Sequence, residues 1–121
     1  MNGEPHGIGA REREQLQALA LANAVRLAIA NVRAEVKSGS LSVRAALDDE
    51  RAAYMTVFQL LAAQHRWGPH RTAAGLELVK LPQRKRVLEL TARQQELAVA
   101  VAEGRSRREL KELIGHGFPE F

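Results

Sequence analysis

Residues 56–72, TVFQLLAAQHRWGPHRT, decide the fold. Thr56 and Gln59 are spaced to open a helix. The hydroxyl accepts from a free N–H of the first turn, and the amide oxygen accepts from the N–H of Thr56 itself. Val57, Leu60 and Leu61 follow at helical spacing, and the helix is expected to reach about Gln64. His65, Arg66, Trp67, Gly68 and Pro69 then break it. Gly68 before Pro69 reads as the cap and first position of a second helix. That helix uses Thr72, Leu76 and Val79 as its inner face and stops before Pro82. Gly75 in its middle costs about 1 kcal/mol relative to Ala, a cost expected to let a neighbouring helix come close.

Toward the N-terminus, residues 41–47 read as a short helix and Asp48, Asp49 and Glu50 as a polar connection. Residues 11–37 contain no Gly or Pro. Within them Leu21, Val25, Ile29, Val32 and Val36 recur every three or four residues, one face of a long helix. Arg26, Arg33 and Lys37 form a second stripe on it, and Gly39 is its left-handed stop. Residues 1–10, with three Gly and a Pro, are expected to be a loose tail. Toward the C-terminus, Thr91 with Gln94 and Ser106 with Glu109 repeat the capping pattern. The first opens a helix ending at Gly104, and the second opens one closed by Gly115. No segment alternates with a two-residue period, so the chain is expected to be all-α. The expected division is a tail (1–10), a helical domain (11–104) and a C-terminal helical extension (105–121).

An apolar content of 45 %, mostly Ala, Leu and Val with few aromatics, suits closely packed helices. No window is apolar for long enough to cross a bilayer, and the first ten residues lack the basic flank and apolar block of a signal peptide. With no cysteine, disulfides and thiolate metal sites are excluded. A cytoplasmic location is expected. The histidines (His6, His65, His70, His116) are scattered, and His65 with His70 lacks a third ligand for zinc. Gly7-Ile8-Gly9 follows no strand and completes no nucleotide fingerprint. Neither a nucleophile with its base nor a converging carboxylate pair is evident. The chain is read as non-enzymatic, without metal or cofactor.

Charge is distributed unevenly. Residues 1–50 hold 6 Lys/Arg against 7 Asp/Glu, whereas residues 51–121 hold 12 against 7. Arg66, Arg71, Lys80, Arg84, Lys85, Arg86 and Arg93 face only Glu77 and Glu89 within residues 66–93. Such asymmetry suggests a polyanion. The helix start at Gly68, with His70, Arg71 and the Thr72 hydroxyl beside it, has the free N–H groups and dipole that attract a phosphate, or is an ordinary capped helix. Arg84, Lys85 and Arg86, adjacent on a Pro-marked turn, repel one another unless a polyanion lies alongside. Trp67, the sole Trp, is expected in the core rather than as a stacking group.

The order of these pieces resembles the actinobacterial integration host factor family. It comprises a basic helix, a short helix, the helix at Met55-Thr56-Val57-Phe58-Gln59-Leu60-Leu61, and a Gly-containing turn. A second helix follows, then the basic turn at Arg84, Lys85 and Arg86, then the helix opening at Leu90-Thr91-Ala92-Arg93-Gln94. The resemblance spans about residues 26–97. It implies a helix–two-turn–helix module, shared with a small-subunit ribosomal protein and with formamidopyrimidine-type DNA glycosylases. It further implies binding of duplex DNA with little sequence preference, bending or compaction of DNA, nucleoid association and assistance to site-specific recombination.

Carried onto this chain, the DNA-facing residues are Arg66, Gly68, His70, Arg71, Thr72, Arg84, Lys85, Arg86 and Arg93, extended along the long helix by Arg26, Arg33 and Lys37. His65 stands where the family has Pro, Arg71 where it has Lys, and Leu88 where it has a further Arg. The segment beyond Glu103 exceeds the family's usual end and suits a phage-encoded relative. Its Leu110, Leu113 and Ile114 are expected to pack on the core or on a protein partner. A monomer is expected. Structured RNA and a host protein remain alternative partners.

Overall fold

The computed structural model describes residues 9–115. Gly9 caps α1 (Ala10–Ser38), with its N–H donating to Glu12 Oε1 at 2.9 Å. Ala10, expected in the tail, is helical; residues 1–8 of that tail lie outside the described residues. Gly39, at φ 87°, ends α1 as the sequence predicts, and the Leu41 N–H reaches back to Glu35 O. Ser42 caps α2 (Val43–Leu47). Asp48 and Asp49 form the expected polar connection, and Glu50 instead opens a 3-10 turn, Glu50–Ala52, because the Asp49 carboxylate accepts from the Arg51 N–H.

Both Thr–Gln capping pairs form as the spacing requires. Thr56 opens α3 (Val57–Ala62) and Thr91 opens α5 (Ala92–Ala102), with all four reciprocal bonds at 3.0–3.1 Å. Between them lie α4 (Pro69–Leu78), capped by Gly68, and a second 3-10 turn, Val87–Glu89. The Ser106–Glu109 pair opens α6 (Arg107–Gly115). The part of the C-terminal extension beyond Gly115 lies outside the described residues. Among the described residues there is no strand, only an isolated bridge between Thr56 and Arg86. The protein is all-α.

The C-terminal half of α1 lies against the first 3-10 turn, α2 and α3. Helix α3 packs on α4 and α5, and α5 is also covered by α2 and α6. Met55, Leu60, Leu61 and Leu76 are fully buried at the centre, each worth roughly 1.5–3 kcal/mol relative to exposure. Gly75 has the role its cost suggests: a Cβ there would stand 2.6 Å from Val101 Cγ1, so α4 and α5 approach as only glycine allows. Leu110 of α6 is buried and Leu113 and Ile114 pack against the same core. Arg51 fastens the first 3-10 turn to α1, gripping Glu35 with two bonds of 2.7 and 2.8 Å and Asp49 with three of 2.7, 3.1 and 3.2 Å.

The long helix departs from its predicted stripe. Val32 and Val36 are buried and Val25 and Ile29 half-buried, but Leu21 is exposed. Periodicity identified the face correctly, but the body ends before that face does.

Candidate nucleic-acid interface

The turn between α3 and α4 is tight. The Trp67 N–H donates to Gln64 O at 3.1 Å, and Gln64 Nε2 donates to Leu61 O at 3.1 Å. To close it, Arg66 adopts φ 67°. This left-handed conformation costs a non-glycine residue about 1 kcal/mol or more, and it leaves the guanidinium exposed. Gly68 then caps α4 with no side chain over the helix start, where Pro69 contributes no donor. His70 and Arg71 are exposed on that first turn.

A groove of about 480 Å³ runs between this turn and α1. Arg33 and Lys37 form its wall on α1, and His65, Arg66 and Trp67 form the wall on the turn. Ala30, Ala34, Ala62 and Ala63 make its floor small and apolar. A second groove of about 640 Å³ shares Lys37, His65 and Trp67 and continues past the end of α1 toward Arg44 and Glu103. Trp67 is neither fully core nor free: it is half-buried against the core and its ring is covered by Arg71, whose guanidinium carbon lies 4.1 Å from the ring centroid.

The basic turn lies at the opposite end of α3. Its backbone caps that helix: the Val57 N–H donates to Lys85 O at 2.8 Å and the Phe58 N–H to Gln83 O at 3.3 Å. The Val87 N–H returns to Met55 O at 2.8 Å. Free N–H groups at the start of α3 thus hold the turn by its carbonyls, and Arg84 and Arg86 point into solvent while Lys85 is half-buried. The six residues of α3 separate the two turns by about 9 Å at 1.5 Å per residue.

Some basic side chains are held by carboxylates and others are not. Arg44, Arg51, Arg105 and Arg108 are engaged by Glu96, by Glu35 and Asp49, by Glu103 and by Glu112. Among the described residues, Arg33, Lys37, Arg66, Arg84, Lys85 and Arg86 make no ion pair.

Two expected contacts fall inside the fold. Thr72 is fully buried and its hydroxyl donates back to Gly68 O at 3.0 Å, so it packs in the core and is satisfied within its own helix rather than meeting a phosphate. Arg93, in the first turn of α5, is only 8 % exposed; it lies four residues before the buried Leu97, on the inward stripe. Arg26 is exposed but lies outside the groove, with Nη1 donating to Asn23 Oδ1 at 2.8 Å. His65, which the sequence offered only as a turn residue and an incomplete metal ligand, lines both grooves. Lys80 is a second left-handed cation, at φ 57°. It ends α4, and the Leu81 N–H reaches back to Leu76 O across it; its place just before Pro82 was the available signal.

Among the described residues no three metal-ligating side chains converge, and no helix is long and apolar enough to cross a membrane. No protein-family model, curated protein or solved structure matches the chain.

Proposed function

We propose that this protein binds duplex DNA through its phosphates, with little sequence preference, in the manner of the integration host factor-like nucleoid proteins it resembles. The observation that carries the reading is the grouping of Arg33, Lys37, His65 and Arg66 around one groove, none of the three cations paired with a carboxylate. Arg84 and Arg86 add an exposed pair at the other end of α3. Unpaired guanidinium groups suit bidentate contact with phosphate oxygens.

The mechanism has two grips. Arg66, Lys37 and Arg33 hold one stretch of backbone at the groove, with His70 and Arg71 beside it at the start of α4. Arg84 and Arg86 hold a second stretch, with Lys85 set deeper. Contacts of this kind position a protein without reading bases. Bending or compaction of DNA and help to site-specific recombination would follow from the two grips acting together.

The test is a mobility shift on unrelated duplexes across a salt series. About five neutralised phosphates give a slope of log affinity against log salt near −4 to −5. Changing Arg84, Lys85 and Arg86 together to Ala lowers affinity on every duplex and flattens that slope by about 2. A slope near zero, or an unchanged triple variant, refutes the assignment. A structured-RNA competitor that outruns duplex DNA makes RNA the partner.

A further inference from the structure

After its polar first turns, α1 carries a largely apolar stretch whose side away from the body is uncovered among the described residues. Residues 16–30 read LQALALANAVRLAIA, in which only Gln17, Asn23 and Arg26 are polar. Leu16, Leu19, Leu21 and Leu27 are 55–67 % exposed. A surface helix ordinarily keeps a polar face toward water, and contiguous exposed apolar side chains mark an interaction surface.

The pattern on this half identifies the occupant. On the side of α1 away from Val32 and Val36, Leu16, Ala20, Asn23, Leu27 and Ala30 follow one another at spacings of four and three. This is the seam of a two-stranded coiled coil. Alanines let two helix axes approach closely.

We propose that this seam pairs with the same seam of a second copy of the chain, running antiparallel, with Leu16 of each against Leu27 of the other and Ala20 against Asn23. Charge selects the direction. In this register the flanking Glu12 of each copy meets Arg33 of the other, twice by symmetry. Glu12 gives Oε1 to the Gly9 N–H, which leaves Oε2 for the pair. A parallel pair sets Glu12 against Gln17 and Arg33 against Ser38, with no opposite charges. It also sets both folded bodies at the same end of the rod, whereas the antiparallel pair separates them and opposes the two helix dipoles. The pair replaces the monomer expected from sequence. It engages Arg33 and covers Ala30, which also line the groove of the proposed nucleic-acid grip, so partner helix and duplex compete for that end of α1 while Arg84 and Arg86 stay free. Sedimentation without DNA tests the pair apart from the DNA reading.

Sedimentation of the full chain over about 1–100 µM, the range of modest association energies, is expected to show a monomer–dimer equilibrium. The double variant L16Q/L27Q, at two exposed positions, keeps the helical spectrum and weakens the dimer at least tenfold. Changing Glu12 to Arg or Arg33 to Glu weakens it, and E12R/R33E together restores it. The chain has no cysteine of its own, so A20C and N23C report orientation: mixed under oxidant they cross-link to each other, and neither cross-links to itself. A monomer at every concentration overturns the proposal and leaves the seam to a different occupant. Self-cross-linking of A20C alone overturns the antiparallel arrangement.

Discussion

The Arg71 guanidinium lies over the Trp67 ring, 4.1 Å from its centroid, and so ties the first turn of α4 to the turn that precedes it. Such a contact contributes about 0.5–1 kcal/mol at an exposed site. Because the protein has one Trp, its emission isolates this spot. Titration with duplex DNA is expected to change Trp67 fluorescence, with a midpoint equal to that of the mobility shift. Emission that stays constant through saturation would place the turn outside the interface.

Arg66 and Lys80 both hold a left-handed backbone, at φ 67° and 57°, but only Arg66 lines the groove. Each should gain up to about 1 kcal/mol of stability on change to Gly. R66G is expected to melt higher and bind DNA roughly tenfold more weakly, the size of one charged contact. K80G should melt higher with binding little altered. Equal binding losses in the two variants would show that position in the groove does not matter.

At Gly75, an added methyl meets the stiff, β-branched Val101 side chain at 2.6 Å. Overpacking of this kind costs about 1–3 kcal/mol, offset in part by the ~1 kcal/mol helix preference of Ala. G75A should therefore lower the melting temperature, and G75A/V101A should be less destabilised than the two single changes combined. Additive losses would mean that α4 and α5 adjust without strain.

The Arg51 clamp makes stability depend on acid. Hydrogen bonds from Arg51 hold the Glu35 and Asp49 carboxyls below their ordinary values of 4.5 and 3.8. Their folded pKa values are depressed, so the unfolded chain binds more protons. The stability they contribute is present above about pH 4.5 and lost as pH falls through the folded values. Thermal melts from pH 6 to pH 3 should show a steady decline, and R51M should reduce its slope. A variant that declines as steeply as the parent would assign the acid sensitivity elsewhere.

Signals that act within four residues were legible in the sequence. Thr56 with Gln59, Thr91 with Gln94 and Ser106 with Glu109 place three helix starts correctly because both partners sit on one turn. Gly39 ends α1 for the equally local reason that only glycine enters φ 87° without strain. What a face meets is a long-range question, and there the reading was partial. Leu21 shares the stripe of Val32 but extends beyond the body. Thr72 was read both as part of the inner face of α4 and as a hydroxyl beside a phosphate, and its burial decides for the first; Arg93 was carried outward by the resemblance, although it sits four residues before the buried Leu97. Arg33 and Lys37 were placed on one stripe, but nothing in the chain's order told that His65 and Arg66 would close the groove opposite them.

Helix α3 begins on the carbonyls of Gln83 and Lys85 and ends in the turn that carries Arg66. A short rigid rod thus fixes the gap between two sets of cations, as the jaws of a caliper are fixed once set. If the proposed duplex binding holds, a molecule with that construction would gauge the width of a groove between phosphate rows rather than the letters within it. It would favour duplexes whose shape already matches its opening, and lengthening α3 by a single residue would change what it selects without altering any charge.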